Sequence, residues 1–352
     1  MQGAGSPIVL DDDLVIAGEN QPVLERLPEG HFDLVYMDPP FNTGGAQTRR
    51  SLEVSADAGG SRVGFGGRRY RSRLLSTLAY DDDFADYLGF LEPRLRRARE
   101  LLAPHGTLYF HIDYREAHYC KLLLDEVFGR EAFLNELIWA YDYGAKPRRR
   151  WPAKHDTILV YVRTPGAHHF DADAVEREPY MAPGLVTPEK AARGKRPTDV
   201  WFHTIVPTNG REKTGYPTQK PEGVLRRIVA ASSRPGAWCL DPFAGSGTLG
   251  AVCRQLGRRF VLVDSSPDAL EVMRARLGAA PDAPGGGGRR GGGAGGSAGP
   301  AAHQGHEADG LVDLAAQAAG RAPREHEVLL GAPGGVHEPS SGGQLSLQRA
   351  RR

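Results

Sequence analysis

Cys239-Leu240-Asp241-Pro242-Phe243-Ala244-Gly245-Ser246-Gly247-Thr248 is an apolar run that stops at an acid and a proline, then turns through small residues into a helix. A short apolar run bounded in this way reads as a buried parallel strand. The glycine turn after it gathers backbone N–H groups where a ligand can approach closely. Gly245 to Gly250 also fits the G-x-G-x-x-G dinucleotide fingerprint, with Asp264 19 residues after Gly245, near the spacing of a ribose-binding acid. A second cassette, Tyr36-Met37-Asp38-Pro39-Pro40-Phe41, again ends an apolar run, and its Asp38 lies 203 residues before Asp241. There Asp38 offers a carboxylate acceptor, Pro39-Pro40 stiffens a loop that lacks N–H groups, and Phe41 presents a flat apolar face. An acceptor beside a stacking platform suits a planar aromatic amine, whereas a hydride-transfer enzyme has no evident use for it.

Working outward, Leu14 to Ala17 reads as a strand, Glu19 to Leu27 as a helix, and Phe32 to Met37 as a strand. After a Gly- and Arg-rich loop over 42–78 come a helix from Phe84 to Leu102, a strand from Thr107 to Ile112 and a helix from Glu116 to Phe128. Strands at Glu136–Tyr141 and Thr157–Val162 follow. Residues 163–216 lose the rhythm, with scattered aromatics such as Trp201 and Phe202, and are the candidate target-recognition insert. Periodicity returns in helices 221–233, 248–256 and 267–277 and strands 237–240 and 259–263. Strands alternating with helices predict a doubly wound, mostly parallel sheet covered on both faces.

Composition changes near Gly278, so residues 1–278 are expected to form one α/β domain. The Gly- and Ala-rich stretch 279–352 is expected to be a disordered tail, with Leu311 to Gly320 able to form one short helix. The net charge of +1 neither demands nor excludes nucleic acid, but the positive charge is clustered. Between Arg49 and Arg73 there are seven arginines against two acids, and Arg148-Arg149-Arg150 sits in a second block. Following a candidate catalytic motif, Arg68, Arg69 and Arg71 read as phosphate contacts, as do Arg148, Arg149 and Arg150. Cys120, Cys239 and Cys253 show neither metal-ligand spacing nor a disulfide framework, and no metal site is expected. No signal segment or membrane-length apolar run is present, which predicts a cytoplasmic protein without a membrane partner. His111-Ile112-Asp113 follows another strand and reads as structural polar groups with satisfied hydrogen bonds.

The two cassettes together resemble those of the S-adenosylmethionine-dependent DNA amino-methyltransferases, in the group whose catalytic motif precedes its cofactor motif. The likeness spans residues 14 to 277. It implies the circularly permuted, Rossmann-like methyltransferase fold, with S-adenosylmethionine as cofactor and double-stranded DNA as partner. A cognate restriction endonuclease is a candidate second partner. The resemblance places Asp241, Phe243, Gly245, Ser246, Gly247 and Thr248 around the methionine portion of the cofactor and Asp264 at its ribose. Pro217-Thr218-Gln219-Lys220-Pro221 resembles the family's cofactor-flanking motif, which offers Lys220 to the methionine carboxylate. Glu19 stands where relatives often carry Asp.

Asp38, Pro39, Pro40 and Phe41 are the implied catalytic set. If the Asp38 carboxylate and the Pro39 carbonyl accept the amine hydrogens, the nitrogen lone pair turns toward the methyl donor. The base has to leave the duplex stack to reach them, and stacking on Phe41 offsets part of that cost. In the family resembled, Asp at the head of the motif is the usual adenine-type choice, so the resemblance implies adenine N6, with cytosine N4 the alternative. A related RNA or protein methyltransferase and a catalytically inactive nucleic-acid-binding relative are the further readings. Carbon-5 cytosine chemistry is disfavoured because no cysteine follows a proline.

Overall fold

The structure is a computed structural model that describes residues 6–42, 84–144, 147–207 and 210–278, together with the strand residues 47–56, 62–63, 69–80 and 311–313. In chain order the elements begin with β1 (Leu14–Ala17), α1 (Asn20–Leu24), β2 (Phe32–Met37), β3 (Gln47–Ala56), β4 (Arg62–Val63) and β5 (Arg69–Tyr80). Next come α2 (Tyr87–Leu101), β6 (Leu102–Asp113), α3 (Ala117–Phe128), β7 (Phe133–Ala140), β8 (His155–Val162), α4 (Pro188–Arg193) and β9 (Val200–Phe202). The last are α5 (Glu222–Ser232), β10 (Trp238–Asp241), α6 (Thr248–Gln255), β11 (Arg259–Asp264), α7 (Pro267–Gly278) and β12 (Leu311–Asp313).

One sheet runs in the order β12-β1-β11-β10-β2-β6-β8-β7-β9. Its strands are parallel except where β8 lies antiparallel to both β6 and β7. The apolar runs are continuous because both faces are covered. On β2, Val35 and Met37 enter one core with Leu24 of α1, Leu91 and Leu95 of α2 and Leu124 of α3. Leu34 and Tyr36 enter the other, with Leu225 and Ile228 of α5, Val252 of α6 and Met273 of α7. The expected doubly wound sheet is therefore present. β10 pairs directly with β2, through Cys239 with Leu34 and Leu240 with Val35, so the loops carrying Asp38 and Asp241 leave adjacent strands at the same edge.

Three expectations change. Residues 42–78 were expected to be a loop, yet they contain β3, β4 and most of β5, which form a separate antiparallel sheet in the order β3-β5-β4. The strands were masked by arginine. Leu52 and Leu74 are register partners in the ladder, but the arginines along both strands obscure the period of two by which strands are read. Trp201, grouped with the scattered aromatics of the candidate recognition insert, is 7% exposed. It lies on β9 opposite Trp139 of β7, and its indole N–H donates to the Thr198 carbonyl at 2.7 Å, so it extends the core over the sheet edge. Phe202, its neighbour, faces outward. In the expected tail, Leu311–Asp313 is an edge strand parallel to β1 and is not helical. The remainder of 279–352 lies outside the described residues. No helix among the described residues is long and apolar enough to cross a membrane.

Candidate active site

A cavity of 430 Å³ opens over the C-terminal ends of β1, β2, β10 and β11 and joins the two cassettes. Its wall includes Glu19, Asp38, Pro39, Pro40, Phe41, Lys220, Asp241, Phe243, Gly245, Ser246, Thr248 and Asp264. Every expected catalytic residue and all but one of the expected cofactor residues therefore share one space. Gly247 is the exception. It caps α6 in the left-handed region at φ 69°, and a Cβ there would meet Met273 Cγ at 2.8 Å, so this glycine serves the packing of α7. Gly250 does similar work: a Cβ would lie 2.7 Å from Leu262 Cδ1, where helix meets strand.

Cross-links between distant segments hold the walls. The Asp264 carboxylate accepts from the N–H groups of Gly245 at 2.8 Å and Ser266 at 2.9 Å, tying the glycine turn to β11. Asn20 donates to the Pro242 carbonyl at 2.9 Å. Arg276, half-buried at the end of α7, reaches the Ser246 carbonyl at 3.2 Å, the Thr248 hydroxyl at 3.1 Å and the Glu222 carboxylate at 2.6 Å. The Thr248 hydroxyl in turn donates to the Lys220 carbonyl at 3.1 Å. At the other cassette, Tyr87 donates to the Pro40 carbonyl at 2.6 Å, while Asn42, at φ 53°, donates to Glu116 and accepts from the Phe84 N–H. The Pro-Pro loop is thus fixed at both ends. Thr218, a β-branched residue at φ 56°, holds a costly left-handed turn two residues before Lys220.

Lys220 was expected at the cofactor's carboxylate, and the structure sets its ammonium 2.6 Å from Asp38 Oδ2 and 4.8 Å from the centre of the Phe41 ring. Asp38 Oδ1 is buried and has no hydrogen-bond partner among the described residues. One oxygen is held and the other is left for a donor.

The cavity is rich in carboxyl groups. Burial lifts Asp241 well above the usual carboxylate range, and the charges of Asp38 and Asp264 add to it against the opposing Phe243 N–H. Burial also raises Asp264, against backbone N–H groups that lower it. Among the described residues, the carboxyl side chains of Glu19, Asp38, Asp241 and Asp264 and the ammonium of Lys220 line the space. Such a field welcomes a cation and opposes a pyrophosphate, which separates this glycine turn from the dinucleotide fingerprint it resembles.

The phosphate-contact candidates are spread differently. Arg148, Arg149 and Arg150 are exposed in the β7–β8 loop, at the sheet edge that carries the cavity, beside a Trp151 that is 94% exposed. Arg69 and Arg71 are on β5, Arg69 exposed, and Arg68 lies outside the described residues. Sequence reasoning missed Tyr36 and Tyr216, which also line the cavity, and Arg276, which reaches Ser246 and Thr248 from the end of α7. It read His111 as a satisfied polar group, and both of its ring nitrogens are indeed hydrogen-bonded.

The family model described as DNA methylase matches residues 32–275. The chain is 30% identical over 266 residues to the type II methyltransferase M.HpaI of Haemophilus parainfluenzae, covering 76% of this chain and 74% of that protein. It is 27% identical over 274 residues to the DNA adenine methyltransferase YhdJ of Escherichia coli, covering 76% and 83%. Among solved structures, the PvuII DNA methyltransferase, described as cytosine-N4-specific, superposes with a TM-score of 0.52 at 14% identity over 78% of this chain and 89% of the other, a likeness of fold.

Proposed function

The chain belongs to the N6/N4 DNA methylase family, and from that premise we propose that it transfers a methyl group from S-adenosylmethionine to the exocyclic amine of a base flipped out of duplex DNA, with adenine N6 the favoured target. The observation that carries this reading is that Asp38, whose Oδ1 has no hydrogen-bond partner among the described residues, lines the same space as the glycine turn. A buried acceptor without a donor costs free energy, so its place in the fold fits a donor that arrives with the substrate.

The wall fits the cofactor. Asp241, Asp264 and Glu19 supply negative charge suited to its sulfonium and ammonium groups, and Gly245, Ser246 and Phe243 supply backbone room. When bound, the cofactor supplies an electrophilic methyl group on a good leaving group. The chain's part is to hold and polarise the acceptor. Asp38 Oδ1 and the Pro39 carbonyl accept the two amine hydrogens, and the Pro40 carbonyl, already engaged by Tyr87, keeps the loop in place. Lys220 pins Oδ2 so that Oδ1 faces the amine. Phe41 offers its ring to the extruded base, where aromatic stacking contributes about 1 to 3 kcal/mol, the scale of the unstacking cost. Adenine is favoured over cytosine by the Asp that heads the motif and by the likeness to an adenine methyltransferase. The arginines of β5 and of the β7–β8 loop are assigned to phosphates, and 163–216 to target reading.

Sequencing that reports modified bases, in a host expressing the chain, tests this in one measurement. N6-methyladenine at a fixed motif is expected, and N4-methylcytosine would overturn the base assignment. Asp38→Ala should leave cofactor affinity within about threefold while methyl transfer falls by roughly 10³-fold, the upper end for loss of one placed electrostatic group. Near-normal turnover in that variant would remove Asp38 from the chemistry.

A further inference from the structure

Behind the cavity wall a line of hydrogen-bonded groups, Tyr36, His111, Asp156 and Tyr141, begins 3.9 Å from Asp38 Oδ1. His111, on β6, is fully buried. Its Nδ1 lies 2.7 Å from the Tyr36 hydroxyl and 3.9 Å from Asp38 Oδ1, the oxygen without a partner. Its Nε2 lies 3.2 Å from Asp156 Oδ2, and the other Asp156 oxygen accepts from the Tyr141 hydroxyl at 3.0 Å. The antiparallel β6–β8 register creates the pair: His111 faces Ile158, which puts Asp156 at the diagonal position on the same side of the sheet. Trp139 meets the imidazole edge-on at 5.6 Å, and Phe41 lies 5.8 Å from it on the cavity side.

The proton positions follow from the partners. Burial drives Asp156 upward, but the hydrogen bonds from His111 and Tyr141, with the charge of Lys220, outweigh it and hold the carboxyl below its usual range. Asp156 is then an acceptor on both oxygens, His111 carries its hydrogen on Nε2, and Nδ1 accepts from Tyr36. Burial, and after it the charges of Asp38, Asp241 and Asp156, keeps Tyr36 a neutral hydroxyl.

Resting on the amine-methylation reading above, we infer that Tyr36, His111 and Asp156 form a relay that carries away the proton the amine loses. Methylating a neutral amine with a sulfonium donor liberates one proton for each methyl group moved. The N–H bond breaks toward Asp38 Oδ1, and its electron pair stays on nitrogen. Asp38 Oδ1 stands 3.9 Å from His111 Nδ1 at rest, and once its carboxyl closes on the Tyr36–His111 pair it passes that proton to the Tyr36 hydroxyl oxygen while Tyr36 gives its own to His111 Nδ1, so that Asp38 is again a carboxylate and Tyr36 again a hydroxyl. The imidazolium that results faces the Asp156 carboxylate, which is 11% exposed in its side chain and lies on the way to water. A neutral acceptor on Nε2 would hold the ring equally well, whereas a carboxylate matters once the ring is charged. His111 acts through Asp38 and is a positioning and relay residue.

Asp156→Asn keeps an oxygen and an amide for its neighbours but removes the charge. Single-turnover methyl transfer should fall by roughly 10²-fold, the scale of general acid–base assistance, and proton release to an indicator dye should slow with it. Cofactor and duplex affinities should stay within about twofold, which separates a lost proton path from lost binding. Tyr36→Phe, which keeps the ring and removes the hydroxyl, should behave alike. In the enzyme without cofactor, ¹⁵N-histidine spectra should show His111 as the Nε2–H tautomer, and Asp156→Asn should change that signal. A wild-type methyl-transfer rate in Asp156→Asn, or the opposite tautomer in the wild type, would overturn the relay. Activity retained by Asp38→Ala would instead strike the methylation reading itself.

Discussion

Arg276→Ala tests whether the end of α7 is part of the cofactor pocket. The Arg276 side chain is 8% exposed, pairs with Glu222 at 2.6 Å and reaches Ser246 and Thr248 of the glycine turn. Removing one partner of a buried ion pair costs about 3 to 5 kcal/mol when the other is stranded. Glu222 is not wholly stranded, since Gln255 donates to it at 2.9 Å, Arg226 lies 3.6 Å away and its side chain is 18% exposed. The low end, about 3 kcal/mol, is therefore expected, or a melting temperature lower by roughly 6 to 12 °C for a domain of this size. The loss should depend on pH. Burial raises Glu222, but Gln255 and Arg276 outweigh it and bring its folded value below the unfolded 4.5. That lowered value contributes stability above the unfolded pKa and loses it as pH falls through the folded one. The gap between wild type and variant should accordingly be full at pH 7 and shrink below about pH 4.5. Urea melts at several pH values, with calorimetric titration of cofactor, measure both effects, and cofactor affinity should drop by about tenfold, the equivalent of one charge-assisted hydrogen bond to the turn. A variant that melts within about 0.5 kcal/mol of wild type and binds cofactor normally would refute the assignment, since that is the range of surface substitutions without such links.

Three further outcomes are expected. Cofactor affinity should rise with pH, because burial raises Asp241 and Asp264 and a cationic ligand prefers their ionised forms; titrations showing tighter binding in acid would contradict a carboxylate-lined site. Trp201→Ala should cost about 3 kcal/mol of stability by leaving a cavity under β9, with the methylated motif unchanged, and an altered motif at normal stability would return Trp201 to target reading. Replacing Arg148, Arg149 and Arg150 with Gln should flatten the slope of log affinity against log salt by about 0.9 per lost phosphate contact while keeping site preference. Filter binding on matched and mismatched duplexes at several salt concentrations would show it, and an unchanged slope would make the loop a solvated one.

The strands before Asp38 and Asp241 were legible because strands buried on both faces need unbroken apolar runs, and those runs end where the chain emerges at the ligand-binding edge. The glycine turn was legible as a turn, but its division of labour was not. Gly245 borders the cavity while Gly247 and Gly250 answer to Met273 and Leu262, contacts from α7 and β11 that no local spacing encodes. His111 and Asp156 are 45 residues apart and meet through strand register. Lys220 was placed by its motif next to the cofactor, but the approach of the α5 entrance to the end of β2 sets its ammonium on Asp38. Trp201 misled because an isolated aromatic in an aperiodic stretch looks the same whether it reads a base or covers a sheet edge.

The strand order β1-β11-β10-β2 also has a temporal side. β1 and β2 are made first, yet they are never neighbours, since two strands completed only at Asp264 fill the gap between them. A nascent chain therefore exposes both sides of that gap, unpaired, through more than 200 residues of synthesis. Asp38 exists early but has no cavity to face until β10 and β11 slide in. The ribosome thus releases the Asp38 side of the cavity long before the Asp241 side, and a chain that stops short of β10 carries the Asp38 loop on an open sheet, prone to stick to its own kind.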